Sequence, residues 1–200
     1  MSKAHHQALL SNITLLYERV GALREFAPLP DDLTTQEVAP CHRKASDDLQ
    51  HNTHLISQHH KPLQDALIKA SPFMHWREVY RRDETSPKNI SFDFMYKLGV
   101  YALIGTTGPF ISDKMALFVV YMPAGLSYPW HAHAAEEFYY IISGEATFRR
   151  EGHPDKIMQE GDTIYHHSDQ PHAMQTYDKP LLSLAVWRNY LGGEAHLLEM

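Results

Sequence analysis

The chain has 200 residues, a formal net charge of -6 and no basic cluster, a balance that argues against a nucleic-acid backbone as partner and a length that buries a substantial core in one domain without staples. Its single cysteine, Cys41, cannot form an internal disulfide, which fits a reducing cytoplasm. Polar Ser11, Asn12 and Thr14 interrupt the N-terminal leucines and no apolar run approaches membrane-spanning length, so neither a signal peptide nor a membrane partner is expected.

From about Gln7 to Phe26, Leu9, Ile13, Leu16, Val20 and Leu23 recur at spacings of three and four, predicting an amphipathic helix that Pro28 and Pro30 end. Ser46 followed by Asp47 and Asp48 reads as the cap of a second helix with the stripe Leu49, Thr53 and Ile56, and Pro62 opens a third through Ala70. Three short helices bury little alone. Residues 1–70 are therefore expected to be an α-helical cap belonging to the same domain as a β barrel over 71–200. His51, His54, His59 and His60 lie close together in this region, but no carboxylate or cysteine completes a ligand set at useful spacing, so they read as surface residues, as do His5 and His6.

From Pro72 onward the pattern turns to short runs rich in β-branched and aromatic residues. Arg81 to Asn89 reads as an exposed polar loop. Strands are predicted at Ile90–Tyr96, Val100–Ile104, Met115–Met122, Glu137–Ile142, Ala146–Arg150, Asp162–Tyr165, His172–Thr176 and Leu182–Trp187. Turns are signalled at Gly105–Pro109, Ser143-Gly144, Glu151–Pro154 and Glu160–Asp162. Many short strands with little helix between them predict an antiparallel sandwich or barrel.

The chemistry concentrates between Gly125 and Gly144. On an extended segment His131 and His133 point to one face, and Glu137 and Tyr139 share a face by the same count of two. Two imidazoles and a carboxylate suit iron, zinc, manganese or nickel far better than calcium or magnesium, and His172 is the candidate fourth ligand. Buried without a metal, these groups would leave several polar atoms seeking partners. Tyr139 projects towards the same ion, where it could ligate, donate a hydrogen bond or, with its phenolate favoured by the cation, take a proton. Ser183, Ala185 and Trp187 share one strand face and could line a pocket, while Leu182, Leu184 and Val186 read as core. Tyr128 could add an aromatic wall. Such a cavity suits a small molecule with a carboxylate for the metal and an onium group for Trp187 and Tyr128.

The spacing Gly125, five residues, His131-x-His133, three residues, Glu137, six residues, Gly144 resembles the first cupin motif at every fixed position. Gly161 to His172 resembles the second, except that His167 and Asp169 stand where that family usually has Pro and Gly. The resemblance implies a mainly β chain: a cupin double-stranded β-helix, or jelly-roll barrel, behind the N-terminal helical cap. More narrowly, His-x-His-x-x-x-Glu-x-Tyr and Pro-His172-Ala-Met resemble the bacterial cupin dimethylsulfoniopropionate (DMSP) lyases of the DddQ type, most strongly from Tyr121 to Trp187.

That resemblance implies a metal-dependent lyase that releases dimethyl sulfide and acrylate by β-elimination. His131, His133, Glu137 and His172 would surround one divalent metal, iron or zinc before manganese or nickel, which holds the substrate carboxylate. Tyr139 would be the base, and Tyr128, Tyr139 and Trp187 would contact substrate. A small-molecule substrate is the partner expected, and the exposed edges of a β-rich domain are compatible with a homodimer. The same ligand set also resembles iron-dependent cupin dioxygenases of chelating substrates, and a non-enzymatic small-molecule-binding cupin is the further alternative.

Overall fold

The computed structural model describes residues 2–80 and 93–199. Its strands are β1 (Thr34–Thr35), β2 (Gly99–Ile104), β3 (Phe110–Ile111), β4 (Ala116–Met122), β5 (Ser127–Ala132), β6 (Glu136–Arg150), β7 (Lys156–Gln159), β8 (Thr163–His166), β9 (His172–Gln175), β10 (Leu181–Arg188) and β11 (His196–Leu197). They run in the order β1-β3-β2-β4-β10-β6-β9-β5-β11, with β7 and β8 also on β6. Strand β6 belongs to both walls of the barrel. Its first half pairs with β10 and β8, and its second half with β7 and β9. This is the jelly-roll barrel, with helices added at the N-terminal side.

Alternation along the central strands separates two cores. Leu117, Val119 and Tyr121 of β4 and Leu182, Leu184 and Val186 of β10 join a cluster that includes helix residues Leu9, Ile13, Leu49 and Leu67. Phe118, Val120 and Ala185 face the other way, into a barrel cluster with Tyr139, Ile141, Phe148 and Met174. Each fully buried Leu or Ile on the helix side contributes about 1.5–3 kcal/mol relative to exposure, so the helices are held by the outer face of the sheet and not by their own propensity.

The helices are α1 (Ser2–Arg19), α2 (Gly21–Phe26), α3 (Lys44–His51), α4 (Lys61–Ala70) and α5 (Asp93–Lys97). The single helix expected over Gln7–Phe26 is two, because Val20 is extended at φ -103° and ψ 96°. The Arg24 guanidinium donates back to the carbonyls of Tyr17 and Glu18, which the last turn of α1 leaves free. Ser46 is not the cap of α3. Arg43 is, and Ser46 sits at the third helical position, where its hydroxyl accepts from the Arg43 backbone N–H at 3.2 Å as half of a capping box. The helix ends at His51, so Thr53 and Ile56 lie beyond it; Ile56 is 73% exposed and Leu55 is buried instead. Among the described residues no helix is long and apolar enough to cross a membrane.

Two strand assignments also differ. Asp93–Lys97, within the strand expected over Ile90–Tyr96, is helix α5, because Phe94 and Leu98 are buried at helical spacing with Tyr96 exposed between them; residues 90–92, like the loop expected over 81–89, lie outside the described residues. Ser143-Gly144 is not a turn. Strand β6 runs through it because Gly144 takes φ +82°, and a Cβ there would stand 1.8 Å from the Pro180 carbonyl oxygen. That close approach lets one strand bend from the first wall into the second. Strand β5 carries the extended stretch expected at His131 back through Pro129 to Ser127, and β7, with little apolar alternation, and the two-residue β1, β3 and β11 are additional to the expected strands.

One carboxylate ties the helices to the barrel. Glu160, in the turn after β7, accepts from Ser57 Oγ at 2.6 Å, Gln58 N–H at 2.8 Å and His59 N–H at 2.7 Å, just before α4 begins. Partial burial pushes its pKa up, but these hydrogen bonds and nearby His60 outweigh that and hold it below the usual carboxylate range. Its contribution is therefore present above the unfolded-state value of about 4.3 and is lost as the pH falls through the lower folded value. Glu160→Ala is expected to cost about 1–2 kcal/mol at pH 7 by chemical denaturation. The gap between wild type and variant should shrink below pH 4; a gap unchanged at pH 3 would contradict this account.

Candidate metal centre and substrate cavity

The site forms where the two walls of the barrel meet. Across the first wall the strand register places Trp187 of β10, Glu137 of β6 and His166 of β8 side by side. The second wall contributes His131 and His172, paired across β5 and β9, and His133 follows directly after β5. All four histidines and Glu137 are buried, Glu137 at 3% exposure. Trp187 Nε1–H donates to Glu137 Oε1 at 2.7 Å. Three imidazole nitrogens surround the other oxygen, Oε2: His133 Nε2 at 3.3 Å, His166 Nδ1 at 3.2 Å and His172 Nε2 at 3.2 Å.

The far sides of three rings set their tautomers. Nδ1 of His131 lies 2.8 Å from the Pro129 carbonyl, that of His133 2.9 Å from Ala135 and that of His172 2.8 Å from Gln170. Each Nδ1 therefore carries its proton and donates outward, which leaves the Nε2 lone pairs of His133 and His172 facing a carboxylate. Lone pairs aimed at an anion repel unless a cation lies between them. His172 Nε2 is buried and makes no hydrogen bond among the described residues, as a nitrogen reserved for such a cation would be. Ligand atoms bound at about 2.0–2.2 Å to one ion stand roughly 3–3.5 Å apart, and the separations here match. The donor set His133, Glu137 and His172, whose ligand atoms all lie within 4.8 Å of one another, could hold a divalent metal. His131 stands just outside that trio, its ring stacked on Tyr128 at 4.0 Å and 4.1 Å from the ring of His172.

Charge in the site follows from burial and from Glu137. Burial would raise the Glu137 pKa, but His133 first, and then His166, hold it well below the ordinary carboxylate range. Burial and His172 push His131 well down, and push His166 to about 4. For His133 burial lowers the value and the Glu137 charge more than restores it. Tyr139 is raised well above 10 by burial and by the carboxylate beside it. The protein's own groups thus keep its phenol protonated, so the phenolate expected from the sequence needs a cation to offset them.

Above these residues opens a cavity of about 830 Å3, lined in part by Tyr128, Tyr139, Trp187 and Phe118 and bordered by residues 193–197. Trp187 stands edge-on to Phe118 with ring centres 5.1 Å apart and lies 4.4 Å from the ring of His133. Tyr128 shares a 2.8 Å hydroxyl hydrogen bond with Tyr80 and stacks on Phe94. Ala185 and Trp187 line the cavity, as their strand face predicted, and Ser183 lies on that same face.

The sequence reading missed His166 and Tyr80. His166 could have been found from the second motif, where it alternates inward with Ile164 on β8. Its neighbours His167 and Asp169 are the residues that depart from the motif. His167 is exposed, and Asp169 adopts φ +56°, the left-handed conformation that Gly usually supplies there and Asp tolerates. The His51, His54, His59 and His60 cluster gathers no metal-ligand set among the described residues; His60 Nε2 meets the Tyr140 hydroxyl at 2.8 Å instead.

Residues 18–183 match the model of the dimethylsulfoniopropionate lyase family. The dimethylsulfoniopropionate lyase DddQ of Ruegeria pomeroyi is 42% identical over 185 residues, 92% of this chain and 90% of that protein. The crystal structure of DddQ from Ruegeria pomeroyi superposes with a TM-score of 0.90 at 40% identity, over 97% of this chain and 96% of that one. A chain from the crystal structures of the DMSP lyases RdDddP and RnDddQII also gives 0.90, at 31% identity over 100% of both. With its family model matched over most of its length, the chain belongs to the dimethylsulfoniopropionate lyase family.

Proposed function

We propose that this protein is a metal-dependent carbon-sulfur lyase that cleaves DMSP to dimethyl sulfide and acrylate by β-elimination. The observation that carries this reading is a buried carboxylate on which imidazole lone pairs converge, with a tyrosine hydroxyl beside it at the floor of an aromatic cavity, in a chain 42% identical to a DMSP lyase. His131, His133, Glu137 and His172 would hold the ion. Iron and zinc are the metals we favour, with manganese and nickel sharing the same ligand preferences. When bound, a divalent metal supplies Lewis acidity, drawing electron density from a carboxylate it holds and favouring a neighbouring phenolate.

The remaining work belongs to the chain. Tyr139 takes the α-proton of the substrate. The electrons of that C–H bond form the new Cα–Cβ double bond, the Cβ–S bond breaks, and its electron pair neutralises the sulfonium as dimethyl sulfide leaves. Trp187 offers a π-face for the sulfonium, and Tyr128 in the cavity lining would contact the substrate beside it, which aligns the departing group with the proton being removed. Residues 1–70 act in this reading as a structural cap within the same domain as the barrel, and the lone cysteine fits a cytoplasmic setting.

Headspace analysis tests the activity. Metal-analysed protein given DMSP should release dimethyl sulfide with or without oxygen, lose that release on chelation and recover it when metal returns. His133→Ala should abolish it. Metal-loaded wild type that releases none would sink the lyase assignment. Tyr139→Phe is expected to lose at least about a hundredfold in turnover while keeping its metal content and melting temperature. Near-normal turnover from that variant would place the base elsewhere.

A further inference from the structure

The partners of Glu137 divide by wall. His133 and His172 approach from the second wall, whereas Trp187 and His166 flank Glu137 directly on the neighbouring strands of the first. Trp187 already accounts for Oε1 by a 2.7 Å hydrogen bond. His166 places Nδ1 3.2 Å from Oε2. It is fully buried, its ring lies parallel to that of His172 at 4.0 Å and 19°, and its Nε2 makes no hydrogen bond among the described residues.

A barrel position like this is ordinarily filled by an apolar side chain, and an imidazole there gives up its hydration without recovering it at Nε2. The side chain is useful only through its other nitrogen. An Nδ1–H donated to a carboxylate oxygen fixes the rotamer of that carboxylate, as outer partners of metal ligands do elsewhere. With Trp187 on one oxygen and His166 on the other, Glu137 cannot turn away from His133 and His172.

We infer that His166 is a positioning residue: its Nδ1–H holds Glu137 in the orientation in which the carboxylate and the Nε2 atoms of His133 and His172 converge on one ion. The inference rests on the metal reading proposed above. It assigns His166 to the support of a ligand and not to the ligand set or the proton transfer.

Metal-free wild type and the variants His166→Asn, His166→Gln and His166→Leu, titrated with zinc against a competing chelator and melted without metal, test it. An Asn amide nitrogen takes the place of Nδ1, that of Gln takes the place of Nε2, and Leu supplies neither. Leu and Gln should bind zinc about 10–100-fold more weakly than wild type, and Asn close to wild type. Melting without metal checks that each variant folds; the Leu variant loses a donor to the buried Glu137 but also loses the unpartnered Nε2, so its metal-free melting temperature should stay close to that of wild type. Zinc binding by the Leu variant as tight as wild type would overturn the inference. If the Leu variant fails to fold, equal losses in Asn and Gln would overturn it as well. Wild type that takes up no zinc would sink the metal reading and the role of His166 together, whereas a Leu variant matching zinc-binding wild type removes only the latter.

Discussion

An ionised carboxylate inside a β barrel is costly to desolvate, and for Glu137 that cost is offset by the Trp187 indole N–H on one oxygen and His166 Nδ1 on the other, with the Nε2 atoms of His133 and His172 converging on the same oxygen. Each of those groups is in turn placed by something outside the cavity. Trp187 and His166 are set by strand register, and His133 and His172 by carbonyls that take their outward N–H. Polar networks inside a low-dielectric interior are stable only when complete. His172 Nε2, which faces Glu137 without a hydrogen bond among the described residues, is where the network is incomplete and where an ion could complete it.

The register depends on β6. A 15-residue strand that pairs with β10 and β8 at one end and with β7 and β9 at the other places Glu137 and Tyr139 on one wall while its far half organises the second. The passage between the walls needs Gly144, where no side chain fits against the Pro180 carbonyl. A one-residue slip in this strand would turn Glu137 and Tyr139 outward and Phe138 and Tyr140 inward. The helices make such a slip costly. They cover the outer face with Leu9, Ile13 and Leu67 and engage Tyr140 and Ile142 from behind.

Family membership and geometry address different questions here. The matched relatives place the chain among DMSP lyases over nearly its whole length. The residues explain why such a chain can carry that chemistry: a carboxylate with converging lone pairs for an ion, a phenol beside it, and π-faces above. The phenol is the least prepared of the three, since burial and Glu137 both hold it protonated. In the proposed mechanism its service as a base would depend on the charge of an ion held by the histidines and Glu137.

Local sequence was enough for much of this. Period-2 spacing put Glu137 and Tyr139 on one face and separated Ala185 and Trp187 from Leu184 and Val186, because a strand's side-chain direction follows from residue count alone. Helical spacing likewise revealed α1, Pro62 signalled the start of α4, and the motif spacing exposed the histidines and Glu137. Tertiary structure decided what local count cannot reach. Whether Ser143-Gly144 turns or continues depends on Pro180, which lies just before β10 and far away in sequence. Phe94 joins a helix because its partners, Tyr80 and Tyr128, are distant in sequence. That His166 meets Glu137 while the ring of His131 stacks on Tyr128 beside His172 is settled by how β5, β6, β8 and β9 register against one another. Long-range pairing, unlike side-chain alternation, is a property of the whole barrel.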